Sequence, residues 1–427
     1  MKVVLPLAGT RGDVQPAVAL GLELAGRGHD VVVGAPPNLV DFVTRTGLEA
    51  RQCGPDVQKL YSSEQGQKAL ASGSSFKLMP MVAKQMSEYA ERMDDEMIDV
   101  CKGADVIVST MLTEDRSQSI AEAMNVPLVT MHSFPCRRNS LYTLPGGLPH
   151  DWNLPAPVIR ASWVATEKLR GLAFMKYINA LRSKLGLGKT RTNVESLLAR
   201  DGVPELQLYD KAFVPGLAEE WGDSRPLMGF LDLPRSAREA VGELADEHAD
   251  VLEWIEDGAP PIYFGFGSMP IQDTRAVLRM VDRITAELGQ RALVSAGWSD
   301  LEVADHSTGD HVKVVGPLAH DLVFPHCLAA VHHGGIGTTY ESLRAGLPTL
   351  VCSVSFDQPL WGVQVTKLGV GAHVKFAKLD HTALKTGIET VLSPGTSERA
   401  RRFAEQLASG ESNPAARVAD VIEAAAR

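Results

Sequence analysis

The chain has 427 residues, which is enough for two or three domains of ordinary size. Apolar residues make up 44% and charged residues 22%, a composition typical of a globular protein with large hydrophobic cores. The net charge is −10, whereas nucleic-acid-binding proteins usually carry a basic surface patch, so we expect no nucleic-acid partner.

Cysteine spacing and hydropathy indicate the compartment. The five cysteines are far apart and form no CxxC pair, which argues against zinc and dithiol chemistry. The first strand begins without a signal-peptide pattern, and no apolar run reaches about 18 residues. We therefore expect a cytoplasmic protein with no membrane span. Peripheral contact with a membrane stays open, and so does the choice between monomer and homodimer.

The first half of the chain alternates apolar strands with helices. Strands are predicted over Lys2–Leu7, Asp30–Gly34, Val106–Ser109 and Leu128–Met131, and helices over Pro16–Gly26 and Gln118–Met124. Such alternation predicts a parallel sheet covered on both faces. The stretch from Ser62 to Met97 breaks this rhythm, and its methionines suit either a core face or the wall of an acceptor site. We expect irregular structure from Trp152 to Trp163.

The second half repeats this plan. Strands are predicted over Ile262–Gly265, Ala292–Ser295, Val312–Val315, Ala329–His332 and Thr349–Val354, with helices over Thr274–Leu288, from Thr338 to Ala345, and from about Arg399 to Ala425. Proline and glycine cluster from Val214 to Pro226. We therefore expect two doubly wound α/β domains, over residues 1–219 and 220–427, with the last helix a candidate to pack back on the first domain.

A glycine-rich turn, His333 to Thr339, follows the predicted strand that ends at His332 and opens a helix. Glycines let the backbone approach a ligand, and the first N–H groups of a helix are unpaired and partly positive. The turn therefore predicts an anion site, most naturally for phosphate, with a plain strand-to-helix turn as the alternative. The sequence contains no GxxxxGK[ST] motif, and its first strand-to-helix loop is not GxGxxG, so P-loop and dinucleotide-binding functions are disfavoured.

Four motifs carry a resemblance to a known family. They are Val331–Thr339 (VHHGGIGTT), Arg344–Pro348 (RAGLP), Asp357–Trp361 (DQPLW) and Gly9–Pro16 (GTRGDVQP). Together they resemble the family-one nucleotide-sugar glycosyltransferases, in the branch of bacterial natural-product and sterol glucosyltransferases. This resemblance covers both domains and implies the GT-B fold, in which two Rossmann-like doubly wound domains face each other across a cleft.

The resemblance also implies residues that bind the donor. His333, Gly335, Gly337, Thr338 and Thr339 would hold the diphosphate of the nucleotide sugar. Ser268 would contact the phosphates from the opposite side.

Further residues would recognise the sugars and the base of the donor. Glu341 matches a position that binds ribose, and Asp357 and Gln358 would bind hydroxyls of the donor sugar, although Asp357 could instead cap a helix. Trp298 is an aromatic candidate for contact with the base. Arg11 would either meet the donor or hold Asp13.

Asp13 is the candidate catalytic base. It stands where the first strand's loop meets a helix, at the carboxyl edge of a parallel sheet where α/β sites form. Burial beside an apolar acceptor would raise its pKa toward the working pH, as a base requires. Its alternative role is a helix cap. Asp115 is a second catalytic candidate, and either Asp115 or Glu114 could assist Asp13.

The predicted reaction is the inverting transfer of a hexose or deoxyhexose from a UDP- or dTDP-sugar to a hydroxyl of an apolar small molecule. Polyketide, glycopeptide, sterol or other terpenoid, and lipid acceptors stay open. No cofactor beyond the nucleotide-sugar co-substrate and no metal are expected, because a helix end and hydroxyls can stabilise the leaving diphosphate. The alternatives are a nucleotide-sugar 2-epimerase of the same fold and a catalytically silent donor-binding partner protein.

Overall fold

The structure is a computed structural model that describes residues 1–71, 75–243, 249–265, 274–295, 308–316, 318–410 and 413–427. The chain divides into two compact units. Unit 1 contains Met1–Gln58, Met79–Val241 and Glu411–Arg427, and unit 2 contains Lys59–Leu78 and Gly242–Gly410. No helix among the described residues is long and apolar enough to cross a bilayer.

Twelve strands are formed within the described ranges. They are β1 Lys2–Pro6, β2 Asp30–Ala35, β3 Glu49–Gln52, β4 Val106–Thr110, β5 Leu128–His132, β6 Glu205–Gln207, β7 Ile262–Gly265, β8 Ala292–Ser295, β9 Val312–Val315, β10 Ala329–His332, β11 Thr349–Ser353 and β12 Gly371–Lys375.

Helices follow most of these strands. The first ten are α1 Arg11–Gly26, α2 Val40–Arg45, α3 Val57–Ser62, α4 Glu64–Ala71, α5 Ser75–Cys101, α6 Glu114–Met124, α7 Ala156–Lys184, α8 Val194–Arg200, α9 Leu217–Trp221 and α10 Arg235–Ala240. They belong to unit 1, except that α3, α4 and α5 lie partly or wholly in the segment assigned to unit 2, and α18 at the chain end also belongs to unit 1. The others are α11 Ala249–Glu256, α12 Thr274–Leu288, α13 His320–Val323, α14 Ile336–Arg344, α15 Gln358–Lys367, α16 His381–Val391, α17 Pro394–Ala408 and α18 Pro414–Ala425.

Each unit contains one six-stranded parallel sheet. The strand orders are β3-β2-β1-β4-β5-β6 and β12-β11-β10-β7-β8-β9. When the strands of each sheet are numbered from its own first strand, both sheets have the order 3-2-1-4-5-6, which is that of doubly wound nucleotide-binding folds. The register pairs Val3 with Val106 in one sheet and Ile262 with Ala329 in the other. The predicted α/β class and the repeated plan are confirmed.

The central strands are apolar on both faces because helices cover both. In β1, Val3 and Leu5 pack into one core cluster and Val4 packs into another, and all three are fully buried. In β7 the side chains of Ile262 and Tyr263 enter different clusters in the same way. Burial of a side chain of this size contributes about 1.5–3 kcal/mol, which makes these strands the main stabilising element of each sheet.

Helix α1 starts five residues before the predicted position at Pro16. Thr10 is its N-cap, and Asp13 three residues later completes a capping box, so Arg11 already lies in the first turn. Pro16 therefore sits inside the helix, where its missing N–H removes one backbone hydrogen bond. Helix α14 likewise starts at Ile336 rather than Thr338, and α6 at Glu114 rather than Gln118.

The prediction of irregular structure over Trp152–Trp163 is wrong from Ala156 onward, where α7 begins. Pro155 is the N-cap of α7 and Pro157 lies in its first turn, where a backbone N–H has no partner in the helix. Trp163 is buried, and its indole Nε1 donates to the carbonyl of Tyr142 at 2.9 Å. The prolines therefore start a helix rather than prevent one.

The remaining differences concern the methionine-rich stretch and the chain end. Met93 and Met97 are fully buried in a core cluster of unit 1, which favours the core reading for these two. The side chains of Met79 and Met86 lie outside the described residues. The predicted C-terminal helical region is two helices, α17 and α18, and α18 packs on α1 through an ion pair of Arg27 with Asp420 at 2.7 Å.

Candidate functional site

The topology of each sheet predicts where a ligand would bind. The chain moves outward from the first strand in one direction and returns to build the other half from the fourth strand, so β1 lies beside β4 and β7 beside β10. In open α/β sheets, ligands bind outside the carboxyl ends of the strands at this switch point. The loops after β1 and β4 in unit 1, and after β10 in unit 2, therefore start at these switch points, whereas residues 266–273 after β7 lie outside the described residues.

The loop after β1 holds the Asp13 carboxylate against the start of α1. The backbone N–H of Thr10 donates to Asp13 Oδ2 at 2.8 Å, and the Thr10 hydroxyl donates to the same oxygen at 3.2 Å. Burial raises the pKa of Asp13 above its usual value, and the hydrogen bonds from Thr10 oppose that rise. Asp13 thus caps its helix and carries the raised pKa expected of a base, so the two readings from the sequence are compatible.

The side chains of Asp13 and Leu112 both lie close to Gly9. Gly9 has φ +110°, and a Cβ at this position would lie 2.3 Å from Asp13 Oδ2 and 2.8 Å from Leu112 Cδ1. Leu112 belongs to the loop after β4 and is 47% exposed. The loops after β1 and β4 therefore meet at Gly9, as the switch-point topology requires, and they leave an apolar, solvent-accessible side chain beside the carboxylate.

Arg11 turns toward the body of unit 1. Its Nε donates to Gln15 Oε1 at 2.9 Å, and its guanidinium lies 4.7 Å from the centroid of the Phe42 ring. Burial, followed by the nearby charge of Arg238, lowers the pKa of Arg11 to about 10. These contacts give Arg11 a packing role within unit 1.

Glu114, the first residue of α6, is completely buried within a charge network. Its Oε2 accepts from Arg137 Nη2 at 2.5 Å and from His132 Nε2 at 3.1 Å, and its Oε1 accepts from Arg170 Nη2 at 3.0 Å. Burial alone would raise the pKa of Glu114, but Arg137, His132 and Arg170 outweigh it and hold the pKa far below its usual value. A carboxylate that stays ionised is a poor proton acceptor, so the environment of Glu114 does not favour a role as a base.

The same network determines the histidine tautomer. The side-chain amide of Gln207 donates to His132 Nδ1 at 3.0 Å, so the neutral ring carries its proton on Nε2, next to Glu114. Burial lowers the pKa of His132, followed by the effect of Arg137. Arg137 also pairs with Glu205 of β6. The charged groups thereby link the start of α6, which follows β4, to the last residue of β5 and the first residue of β6.

Asp115 follows Glu114 and is more accessible. Its Oδ2 lies 3.8 Å from Arg170 Nη2, and the same guanidinium nitrogen lies 3.1 Å from Glu195 Oε1. Burial raises the pKa of Asp115, while Arg170 opposes the rise and Glu114 adds to it. Asp115 and Glu195 line a small cavity with Arg170 and Phe174. No described contact joins Asp115 to Asp13.

In unit 2 the glycine turn leads directly into α14. Gly334 has φ +89°, and a Cβ there would lie 2.4 Å from Val351 Cγ1 and 3.4 Å from the carbonyl oxygen of Gln358. Gly335 is the N-cap, and as a glycine it has no side chain with which to cap the helix. The N–H groups of the first turn are therefore left to another acceptor, as an anion site requires.

His333 is largely enclosed at the start of this turn. Burial lowers the pKa of His333 to about 4, and a hydrogen bond with the Gly265 backbone opposes the shift. Its Nδ1 is buried and has no hydrogen-bond partner among the described residues. At neutral pH the ring is therefore uncharged and brings no positive charge to the turn.

The two threonines differ in orientation. Thr338 is partly exposed, whereas Thr339 is fully buried and its hydroxyl donates to the carbonyl of Gly335 at 2.9 Å. The hydroxyl proton of Thr339 is thus used inside the helix. Gly337 lies in the first turn of α14 and is partly exposed.

The other predicted donor residues lie on α14 and at the start of α15. Glu341 forms an ion pair with Arg344 Nη2 at 2.6 Å. The Asp357 carboxylate accepts from the Trp361 indole at 2.7 Å, so Asp357 is at the N-cap position but gives no side-chain cap to the backbone. Gln358 Oε1 accepts the backbone N–H groups of Val354 at 2.8 Å and of Ser355 at 3.2 Å.

Ser268 and Trp298 lie outside the described residues. Within the described ranges, no group of three or more His, Cys, Asp or Glu side chains could hold a metal ion.

Several buried residues around these loops were not predicted from the sequence. His132, Arg137 and Arg170 surround Glu114, and His332 lies under the glycine turn. Polar residues at the ends of otherwise apolar strands were the available signal, since His132 ends β5 and His332 ends β10.

Two family models match the chain. Residues 3–142 match the glycosyltransferase family 28 N-terminal domain. Residues 300–424 match the C-terminal domain of the erythromycin biosynthesis protein CIII-like family.

Relatives match over most or all of the chain. A glycosyltransferase of Mycobacterium tuberculosis, described as uncharacterized, is 38% identical over 100% of this chain and 99% of its own length. A sterol 3-beta-glucosyltransferase of Arabidopsis thaliana is 30% identical over 87% of this chain and 57% of its own length.

Solved structures with the same fold have low sequence identity. The calicheamicin glycosyltransferase CalG4 gives a TM-score of 0.71 at 18% identity and covers 99% of this chain and 97% of its own. The spinosyn rhamnosyltransferase SpnG, complexed with thymidine diphosphate, gives 0.61 at 16% identity and covers 98% and 99%.

Proposed function

Because the chain belongs to the GT-B glycosyltransferases, we propose that it transfers a hexose or deoxyhexose from a UDP- or dTDP-sugar to a hydroxyl of an apolar small molecule, with inversion. The observation that carries the proposal is the glycine turn of unit 2. An uncapped helix start stands at the carboxyl end of β10, at the switch point of a doubly wound sheet. A nucleoside diphosphate is the anion that fits both the turn and the family.

In this proposal unit 2 stabilises the leaving diphosphate. The first-turn N–H groups of α14 and the partial positive charge of the helix end would stabilise the negative charge that develops on the diphosphate when the anomeric bond breaks. His333 would contact the diphosphate as an uncharged ring, since its pKa near 4 leaves it neutral at neutral pH. Asp357 and Gln358 would bind hydroxyls of the sugar, and Glu341 would bind the ribose. No metal is required for this charge stabilisation.

Unit 1 would supply the base. Asp13 would take the proton from the acceptor hydroxyl, and the resulting oxygen would attack the anomeric carbon as the diphosphate leaves. The raised pKa of Asp13 matches this task, and the exposed Leu112 beside it would contact an apolar acceptor. Asp115 is a second candidate, held near Arg170. Relatives named for sterol and spinosyn substrates support an apolar acceptor, and the thymidine diphosphate complex supports dTDP as one donor nucleotide.

The function is tested by a mass-spectrometric acceptor screen with UDP-glucose and dTDP-sugars in parallel. A product whose mass has increased by one sugar supports the transferase. Conversion of the donor into its 2-epimer would identify an epimerase instead. Donor binding without consumption of donor in any reaction would identify a silent partner protein.

The base assignment is tested separately with Asp13→Asn. Asparagine keeps a side-chain oxygen that can accept from the Thr10 N–H, so α1 should still be capped. We expect turnover to fall by about 10²–10⁴-fold, because a positioned general base contributes that factor, while the Kd for the donor nucleotide stays unchanged. Unchanged turnover would reject Asp13 as the base and leave the transferase function itself intact.

A further inference from the structure

His332, the last residue of β10, lies directly beneath the glycine turn. It is fully buried, and its Nδ1 accepts the backbone N–H of Gly334 at 3.0 Å. The hydrogen bond spans only two residues, so it closes the turn on itself. A buried backbone N–H without a partner would be unfavourable, and the imidazole supplies that partner.

The other ring nitrogen is also held. His332 Nε2 lies 3.4 Å from Ser342 Oγ, and that hydroxyl donates to the carbonyl of Thr339 at 3.1 Å and accepts from Thr349 Oγ1 at 2.9 Å. Because Nδ1 accepts a hydrogen bond, the proton of the neutral ring lies on Nε2, facing Ser342. Burial, together with the neighbouring His333 and His320, keeps the pKa of His332 well below its usual value. The ring is therefore neutral and in one tautomer.

This bond determines the geometry of the backbone that leads into α14. Gly334 has φ +89° and Gly335, the N-cap, has φ −60° and ψ 142°, so the chain turns sharply between the strand and the helix. Gly335 has no side chain to cap the first turn. The His332 ring therefore fixes the turn from the strand side and leaves the first-turn N–H groups of α14 facing outward.

We propose that His332 is a positioning residue for the donor diphosphate. It does not contact the ligand. Through the hydrogen bond from Gly334 it holds the turn in the shape that directs the first-turn N–H groups of α14 at the phosphates. The inference rests on the proposed diphosphate site and adds a residue that acts only through the backbone.

A pair of amide substitutions separates the two ring nitrogens. In His332→Asn the side-chain oxygen can take the place of Nδ1 and accept from Gly334, whereas in His332→Gln the longer side chain places its polar atoms near the Nε2 position, toward Ser342. His332→Leu removes both. Ser342→Ala is the matched control, because it removes the Nε2 partner and keeps the Gly334 bond.

The variants are compared by calorimetric Kd values for UDP and dTDP and by the kinetics of donor consumption. We expect His332→Asn and Ser342→Ala to stay within about threefold of the wild-type Kd, and His332→Gln and His332→Leu to weaken binding by about tenfold or more, as loss of a buried hydrogen bond implies. In the weakened variants KM for the donor should rise and KM for the acceptor should not. A general loss of folded protein would leave both KM values unchanged.

The outcomes distinguish this inference from the proposed function. If the wild-type protein binds neither UDP nor dTDP, the diphosphate site itself is rejected. If it binds, and His332→Gln binds as tightly, the positioning role is rejected and the site stands. If His332→Gln and His332→Leu do not fold, the other two variants decide, since a tenfold loss of affinity in either His332→Asn or Ser342→Ala would also reject the role of the Gly334 bond.

Discussion

Replacement of Gly9 by alanine should displace the Asp13 carboxylate, the candidate base, without changing its chemical identity. The new Cβ would stand 2.3 Å from Asp13 Oδ2, whereas nonbonded carbon and oxygen atoms need more than 3 Å, so the carboxylate must move by about 1 Å. Alanine would also have to adopt φ +110°, which costs about 1–3 kcal/mol. Loss of the cap from Asp13 adds about 1 kcal/mol.

We expect the free energy of unfolding to fall by about 2–4 kcal/mol, which corresponds to a decrease in Tm of about 5–15 °C. A 1 Å misplacement of a catalytic group lowers turnover by about 100-fold. Thermal melting followed by circular dichroism gives the first quantity, and donor consumption with an acceptor from the screen gives the second. The Kd for the donor nucleotide should not change, because the glycine turn belongs to unit 2.

Gly12→Ala is the matched control in the same loop. Its Cβ would have Thr10 Oγ1 at 3.7 Å as its nearest neighbour, and Gly12 lies in α1, where alanine is favoured over glycine by about 1 kcal/mol. This variant should melt at or above the wild-type temperature and keep its activity. Wild-type melting and turnover in Gly9→Ala, or an equal loss in Gly12→Ala, would refute the steric effect on Asp13.

Three further expectations concern buried polar groups. Arg137→Met should lower the free energy of unfolding, measured by urea titration, by about 3–5 kcal/mol, because Glu114 and Glu205 lose a buried partner. Adding Glu114→Gln to this variant should recover part of the lost stability. Wild-type stability of the Arg137→Met variant would contradict this expectation. A buried histidine whose pKa is lower in the folded state than in the unfolded state makes the protein less stable as the pH falls below the unfolded pKa. Between pH 6.5 and about 4, His333 should therefore contribute a slope of up to about 1.4 kcal/mol per pH unit to the free energy of unfolding. In His333→Asn the measured slope should be shallower. All five cysteines are buried with raised pKa values, so a thiol reagent should label them in urea and hardly at all in the native protein; rapid native labelling would show that a core opens easily.

Much of the fold could be predicted from local patterns in the sequence. The apolar runs around Val4 and Phe264 predict buried parallel strands because only a sheet covered on both faces buries consecutive side chains. Glycines before a helix predict an anion site because unpaired N–H groups are a property of any helix start. The motifs at Gly9–Pro16 and Val331–Thr339 carried the family because they combine these features at fixed spacing.

Tertiary structure decided the rest, because it depends on partners distant in the chain. The ionisation of Glu114 follows from Arg137 and Arg170, which lie 23 and 56 residues away, and no local pattern pairs them. The inward turn of Thr339 and the support of Gly334 by His332 depend on how β10 and α14 pack. The sequence alone thus indicated which groups are candidates to bind a phosphate or to move a proton. The packing of the strand ends determined which of them face outward and which hold the others in place.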